Sequence, residues 1–373
     1  MNLVLGALPF FGIAFVISFL FTPIAKKIGF ELGIYAIENS RTVHQGKIVR
    51  FGALAIYVAF IITMSLLVRA DKTINSILIG GLIIFIGGVL DDMFNLRARN
   101  KLIFIMVAAL IPLIFGGIQL SEITLTFISF DIRPISFLVS FVWIVGVANA
   151  INLIDGLDGL AAGVSFIVLC VIGIIGFFMG RRDICVISLI MVGAIGGFLP
   201  YNFHPASVFM GDCGALFIGY MIACLSLLGF KTTTFITLGF PIIILFVPLA
   251  DTCLAIIRRK LKGQKISDAD KSHLHHVLMF KIGLSHRNTV LLLYLVTILF
   301  GLSAIVTYFN ELLGLVFLFI LCAMAWMFIE LTGMINPKFH PVIGCLRKTS
   351  RELQHLSCTF EDHPIASGAG IAT

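Results

Sequence analysis

Eleven stretches of this chain are apolar over lengths close to the thickness of a bilayer. They lie near 5–25, 52–69, 75–90, 102–116, 135–150, 160–179, 184–200, 214–230, 234–257, 289–309 and 312–332. A helix gains about 1.5 Å per residue, so roughly 20 apolar residues cross the hydrocarbon core. The chain is 59% hydrophobic and only 12% charged, against about 25% charged residues in soluble domains. The expected fold is an all-α polytopic membrane protein with about eleven transmembrane helices and no room for a separate soluble domain. No basic residue precedes the first run and Lys26-Lys27 follow it. A cleaved signal peptide has the reverse order, so this span is expected to stay.

The segments between runs fall alternately on two sides. One set carries 20 of the 26 lysines and arginines and the other carries 6. Basic residues concentrate on the cytoplasmic side, which puts the amino terminus outside and the carboxyl terminus in the cytoplasm. The net charge of +7 therefore reflects membrane orientation, and no nucleic-acid partner is expected. The eight cysteines show no Cys-x-x-Cys spacing, so they read as apolar packers or free thiols rather than a disulfide framework or zinc site.

Against this background one polar stretch stands out, Asn149-Ala-Ile-Asn-Leu-Ile-Asp-Gly-Leu-Asp-Gly-Leu160. A carboxylate at mid-membrane costs about 2.5–3.5 kcal/mol on insertion scales, so such residues line wet cavities or membrane edges and usually serve a function. Asn149, Asn152, Asp155 and Asp158 recur at intervals of three. On an unbroken helix each such step turns by about 300°, and the set drifts halfway round. Gly156 and Gly159 can break the helix and let the polar groups converge.

The other cytoplasmic segments supply further candidates. Lys26–Arg50 contains His44 and Arg50 in basic, glycine-containing sequence suited to an anion; ordinary orientation charge explains them equally well. Asp91 and Asp92 end an apolar run ahead of Arg97, Arg99 and Lys101. Adjacent acids need positive charge between them, either a divalent metal or a proton held against substrate. They point about 100° apart on a helix, which predicts different roles. Asp212, in Gly-Asp-x-Gly ahead of an apolar helix, suits a metal ligand at a phosphate. Phe209 nearby reads on its own as packing or as a platform for a base. Asp251 shares a helical face with Arg258, either as a buried ion pair or as a site residue. His273 and His276 share a helical face that His275 does not; their basic surroundings suit phosphate better than zinc. Gln119–Arg133 is expected to form a short hairpin on the outer side. In the tail, Ile343, Leu346, Leu353 and Leu356 suggest an amphipathic surface helix, and the last dozen residues read as disordered.

Taken together, His44-Gln-Gly-Lys-Ile, Gly88-Val-Leu-Asp-Asp92, Asn149–Leu160, Val208-Phe-Met-Gly-Asp212, Pro248-Leu-Ala-Asp251 and His273-Leu-His-His276 resemble the polyprenyl-phosphate N-acetylhexosamine-1-phosphate transferase family. Within it the likeness is strongest to bacterial undecaprenyl-phosphate GlcNAc-1-phosphate transferases. The resemblance covers about residues 40–290. It implies that Asp212 binds Mg²⁺, with Mn²⁺ as a substitute, and that Asp91 and Asp92 handle the polyprenyl phosphate and its proton. It implies that Asn152, Asp155 and Asp158 surround the nucleotide and diphosphate, and that Phe209 lies under uracil. Lys101, His273, His275 and His276 match basic groups around the phosphates, with Asp91, Asp92, Asp155, Asp158, Lys101 and His276 the catalytic set. His44 and Arg50 join the substrate-binding groups. Two departures fall in the first loop: the family's paired glycine reads Gly52-Ala53, and its proline is Val49.

The implied reaction joins undecaprenyl phosphate and UDP-GlcNAc to give the lipid-linked sugar and UMP, as the first step of a surface glycan of O-antigen, common-antigen or teichoic-acid type. The implied setting is the bacterial cytoplasmic membrane with the site on its cytoplasmic face. Residues 1–332 would form one transmembrane catalytic domain and 333–373 a partly disordered cytoplasmic tail, and a homodimer stays open. Two alternatives remain: transfer of phospho-MurNAc-pentapeptide or another UDP-N-acetyl sugar phosphate, and an ion-coupled transporter using its intramembrane acids as a relay. The first typically carries three consecutive histidines, where this chain has His-Leu-His-His. The second should carry its acids near mid-span.

Overall fold

The apolar runs fold as helices. The computed structural model describes residues 2–36, 47–67, 71–120, 122–125, 128–131, 133–230, 239–261, 263 and 273–334. His44 and the tail positions Ile343, Leu346, Leu353 and Leu356 lie outside the described residues. In chain order the helices are α1 (Asn2–Glu31), α2 (Ala53–Leu67), α3 (Lys72–Phe94), α4 (Ala98–Ile114), α5 (Ser136–Ile154), α6 (Leu160–Phe178), α7 (Arg182–Asn202), α8 (Gly211–Phe230), α9 (Gly239–Ile244), α10 (Phe246–Leu261), α11 (Leu274–His276), α12 (His286–Phe309) and α13 (Glu311–Thr332). Eight of them, α1, α3, α5, α6, α7, α8, α12 and α13, are long and apolar enough to cross a membrane. The chain is an all-α, multi-pass membrane protein.

The other three expected spans fall on shorter pieces. α2 has 15 residues and α4 has 17. The run expected as one span over 234–257 is instead divided at Leu245 into α9 and α10. Pro241 and Pro248 each sit in the first turn of one of these helices, where a missing N–H removes no intrahelical bond. Two antiparallel strand pairs are also present among the described residues. β1 (Tyr35–Ala36) pairs with β2 (Ile48–Val49), and β3 (Glu122–Leu125) with β4 (Ile128–Asp131). The second pair is the hairpin expected between Gln119 and Arg133.

α8 is the element on which the site is built. From Cys213 to Leu227 every residue of it is buried, and it packs against α3 and α5. Lipid tails are as apolar as side chains, so close helix contact in a membrane depends on small residues that let backbones approach. Gly88 does this for α3: a Cβ there would lie 2.3 Å from the Cys213 Cα. Gly219 does it for α5, since its Cβ would lie 2.8 Å from the Ala148 Cα. These crossings bring the polar ends of α3 and α5 to the start of α8. The chain divides into two compact units, Met1–Phe319 and Ile320–Thr373. In the second, Trp326 Nε1 donates to Glu330 Oε1 at 2.7 Å within α13.

Candidate active site

The site begins at the amino terminus of α8. Gly211 has φ +80°, and a Cβ there would meet the Arg50 carbonyl oxygen at 2.3 Å and Asp92 Oδ2 at 2.7 Å. Only glycine combines that conformation with that closeness. Asp92 accepts the Asp212 and Cys213 N–H groups, one on each oxygen, both at 2.9 Å. It thus caps α8 with a negative charge at the positive end of the helix dipole. Its neighbour Asp91 turns away, as the 100° step along a helix predicts. Asp91 Oδ1 accepts Leu96 N–H at 2.9 Å, and Oδ2 lies 2.8 Å from Lys101 Nζ.

Lys101 joins this acid to the next. Its ammonium donates to Asp212 Oδ1 at 2.5 Å while contacting Asp91. Asn152 Nδ2 donates to the same Asp212 oxygen at 2.5 Å, and Arg50 stands 3.5 Å from the other. Arg50 is held there by backbone pairing: Phe209 N–H donates to Val49 O at 2.8 Å and Gly52 N–H to Phe209 O at 3.0 Å. One pairing therefore fixes both Arg50 and Phe209. Asn149, by contrast, donates to Val145 O of its own helix at 2.8 Å.

The polar stretch breaks where its glycines lie. α5 ends at Ile154, Gly159 has φ +76°, and α6 starts at Leu160. Tyr294 of α12 donates its hydroxyl to Gly159 O at 2.5 Å and pins the turn. Asp155 sits inside it, where burial and the nearby Asp212 charge push its carboxyl up to about 7. Asp158 Oδ2 accepts from His204 Nδ1 at 2.8 Å and from Ala206 N–H at 3.1 Å. The His204 ring stacks on His286, with centroids 4.2 Å apart.

The histidine motif differs from its sequence expectation. His273 lies outside the helix, in extended backbone at the N-cap of α11, and a π-helical turn over Val277–Lys281 follows. The expected shared helical face of His273 and His276 therefore does not exist. Asp251 sets the arrangement, accepting from His273 Nδ1 and from Leu274 N–H, both at 2.8 Å. Its two oxygens thus serve the histidine turn, which places Asp251 beside the site. His275 packs on the polar turn: a Cβ at Gly156 would lie 2.7 Å from its Nε2. Burial and the neighbouring His276 hold the His275 ring down to about 4, keeping it neutral near pH 7.

Beside these groups lies a cavity of about 640 Å³. Arg50, Asp155, Asp158, Phe209 and His276 all line it, and His273 and His275 do not. Asp91, Asp92, Lys101, Asn152 and Asp212 form the adjoining charged cluster, connected to the cavity through Arg50 and Gly211. Three further lining residues were not singled out from sequence: Asn202, His204 and His286. Asn202 Nδ2 donates to Val208 O at 3.1 Å, and its buried Oδ1 has no partner among the described residues. The one available signal was their position, in the polar segment before Phe209 and just before the α12 run.

Comparison with known proteins gives a consistent result. The model of glycosyl transferase family 4 matches residues 74–230. A probable undecaprenyl-phosphate N-acetylglucosaminyl 1-phosphate transferase of Bacillus subtilis (strain 168) is 41% identical over 338 residues, covering 88% of this chain and 94% of its own length. A decaprenyl-phosphate N-acetylglucosaminephosphotransferase of Mycobacterium tuberculosis is 32% identical, covering 76% of this chain and 78% of its own. An undecaprenyl-phosphate alpha-N-acetylglucosaminyl 1-phosphate transferase of Escherichia coli (strain K12) is 25% identical, with coverages of 75% and 78%.

Proposed function

The chain belongs to the polyprenyl-phosphate N-acetylhexosamine-1-phosphate transferase family, and from that premise we propose that it transfers GlcNAc-1-phosphate from UDP-GlcNAc to undecaprenyl phosphate, releasing UMP. The observation that carries this reading is the cation-bridged carboxylate cluster around Asp212, set directly against a nucleotide-sized cavity that contains Phe209. Ligand pockets run about 300–1,000 Å³, and 640 Å³ falls within that range. An ion relay across a membrane needs acids near mid-span; here they gather where helices end, around one cavity.

In the proposed reaction a phosphate oxygen of the lipid attacks the sugar-linked phosphorus. A P–O bond forms there, the bond to the bridging oxygen breaks, and UMP leaves with that electron pair. Phe209 stacks on uracil, and the unpartnered Asn202 Oδ1 accepts a hydrogen bond from a base N–H. Arg50 and Lys101 stabilise charge on the phosphates, and His276 extends that basic lining. Catalysis of this kind is mainly positioning and charge stabilisation.

The donor set around Lys101 also fits a hard divalent cation. Carboxylate oxygens of Asp91 and Asp212 already converge on one positive charge, and oxygen donors suit Mg²⁺ or Mn²⁺. Those two acids would hold the ion, with Lys101 turning to the phosphates. Bound there, it would neutralise the diphosphate and the departing UMP. The division of basic residues, 20 against 6, supports a site on the cytoplasmic face of the bacterial inner membrane, with eleven spans. The lipid acceptor would enter from the bilayer, and the product would start a surface glycan.

The test is UMP release by purified protein offered a panel of UDP-sugars with and without undecaprenyl phosphate. Acceptor-dependent release with UDP-GlcNAc is expected. Release without acceptor, or with UDP-MurNAc-pentapeptide alone, would overturn the assignment.

A further inference from the structure

We propose that Asp251 and His273 are positioning residues: they hold a turn that presents His276, alone of the histidine motif, to the phosphates of the bound substrate. This deepens the transferase reading and rests on it for the ligand that His276 meets. The resemblance puts all three motif histidines at the phosphates, whereas their surroundings here separate them.

Asp251 is buried, at 2% exposure, and no step of the transfer uses it. A buried carboxylate needs hydrogen-bonding partners, and Asp251 takes two from the start of the histidine turn. One oxygen accepts His273 Nδ1–H and the other Leu274 N–H, each at 2.8 Å. Opposite a carboxylate, Nδ1 must be the donor. α10 thereby grips a side chain and the backbone together, which fixes the turn in orientation as well as position. Val277 N–H donates to His273 O at 3.0 Å and closes the turn.

Within that turn the rings have different places. His273 is buried and its Nδ1 is committed to Asp251. His275 is buried against the polar turn at Gly156, where a Cβ would lie 2.7 Å from its Nε2. Burial and the neighbouring His276 keep that ring neutral near pH 7, so it brings no charge to a phosphate. The His276 ring lies 4.3 Å from the His275 ring, centroid to centroid, and lines the cavity with Arg50 and Asp155. His275 is thus a wedge and His276 the reaching group. A turn released by Asp251 carries both rings with it, and a misplacement of about 1 Å can cost about 100-fold in rate.

The experiment measures UMP release from UDP-GlcNAc and undecaprenyl phosphate in a set of variants. Asp251→Ala and His273→Ala should each lower turnover at least about tenfold. His273→Asn should recover turnover to within about threefold of the unmodified protein, because an asparagine Nδ2–H sits where the imidazole Nδ1–H does. Asparagine is neither an acid, a base nor a cation, so equal loss in His273→Asn and His273→Ala would overturn the positioning role. Asp251→Ala combined with His276→Gln should be no slower than the slower single variant, since both remove one contribution. Losses that multiply, or a His276→Gln variant as fast as the unmodified protein, would also overturn it. Nitrogen NMR of isotope-labelled histidines gives a readout that needs no turnover. The His276 signals, isolated by subtracting the His276→Gln spectrum, should shift in Asp251→Ala and His273→Ala and return in His273→Asn. Unmoved signals would overturn the proposal, whereas absent UMP release by the unmodified protein would overturn the transferase reading alone.

Discussion

Asp155 should titrate near neutrality, and the reason is specific enough to test. Its carboxyl is pushed from the ordinary 3.8 to about 7, first by burial and then by the Asp212 charge. That displacement corresponds to about 4 kcal/mol of preference for the neutral acid. At pH 6 roughly nine in ten molecules should carry the proton, and at pH 8 roughly one in ten. Between 3.8 and about 7 the folded protein binds a proton that the unfolded chain has released. The residue therefore costs stability as pH rises through that window, and the whole cost is present above about 7. Infrared difference spectra over a pH series read the protonated carboxyl band directly. Subtracting the Asp155→Asn spectrum isolates this residue from other acids, and the isolated band should disappear with a midpoint near 7. In Asp212→Asn the midpoint should move down, because one neighbouring negative charge is gone while the burial remains. A midpoint near the ordinary carboxylate value would refute the burial argument. An unmoved midpoint in Asp212→Asn would refute the coupling between the two acids.

Other expectations follow from the same geometry. Asp212→Asn should lower transferase turnover by at least about 100-fold, the scale of losing one charge-stabilising group, with the thermal melt retained; near wild-type turnover at saturating Mg²⁺ would sink the assignment. Phe209→Ala should weaken donor binding by roughly 5- to 150-fold, from about 1–3 kcal/mol of base stacking, and equal loss for the lipid acceptor would point to misfolding instead. Gly156→Ala forces a Cβ to within 2.7 Å of His275 Nε2, so turnover should fall at least about tenfold; turnover within twofold of wild type would show that the turn has slack. Sealed inside-out vesicles should consume UDP-GlcNAc while sealed right-side-out vesicles should not until permeabilised, and equal activity in both would refute the cytoplasmic site.

Much of this architecture was legible because its causes are local. An apolar run in lipid satisfies its own backbone only as a helix, so most helices fall where the runs do. The break at Gly156 and Gly159 and the divergence of Asp91 from Asp92 follow from neighbouring residues and the helical period. What stayed hidden depends on contacts distant in sequence. Gly88 and Gly219 look ordinary until the α8 backbone is beside them. Asp251 could be read only against Arg258, seven residues along the same chain, because a partner 22 residues away has no periodic signature. His204 and His286 are single histidines with no ligand spacing, so sequence reasoning treated one as part of a loop and passed over the other.

Charge balance connects these observations. Asp91, Asp92, Asp155 and Asp212 gather around two basic side chains, Lys101 and Arg50, with Asn152 and the α8 amino terminus adding only partial charges. Four carboxylates against two full positive charges are not stable in a partly buried setting. The excess must be met by protons, helix dipole or ligand cations. Asp92 takes the dipole, Asp91 and Asp212 take the lysine, and Asp155 takes a proton. A divalent cation between Asp91 and Asp212 would alter each of these at once. It would free the ammonium for a phosphate, lower the field that keeps Asp155 neutral, and leave a carboxylate able to accept a proton as the lipid phosphate approaches. On this argument the adjacent acids, the lysine and the raised Asp155 are one device. In the proposed reaction it would exchange a proton and an internal ammonium for a metal and a diphosphate.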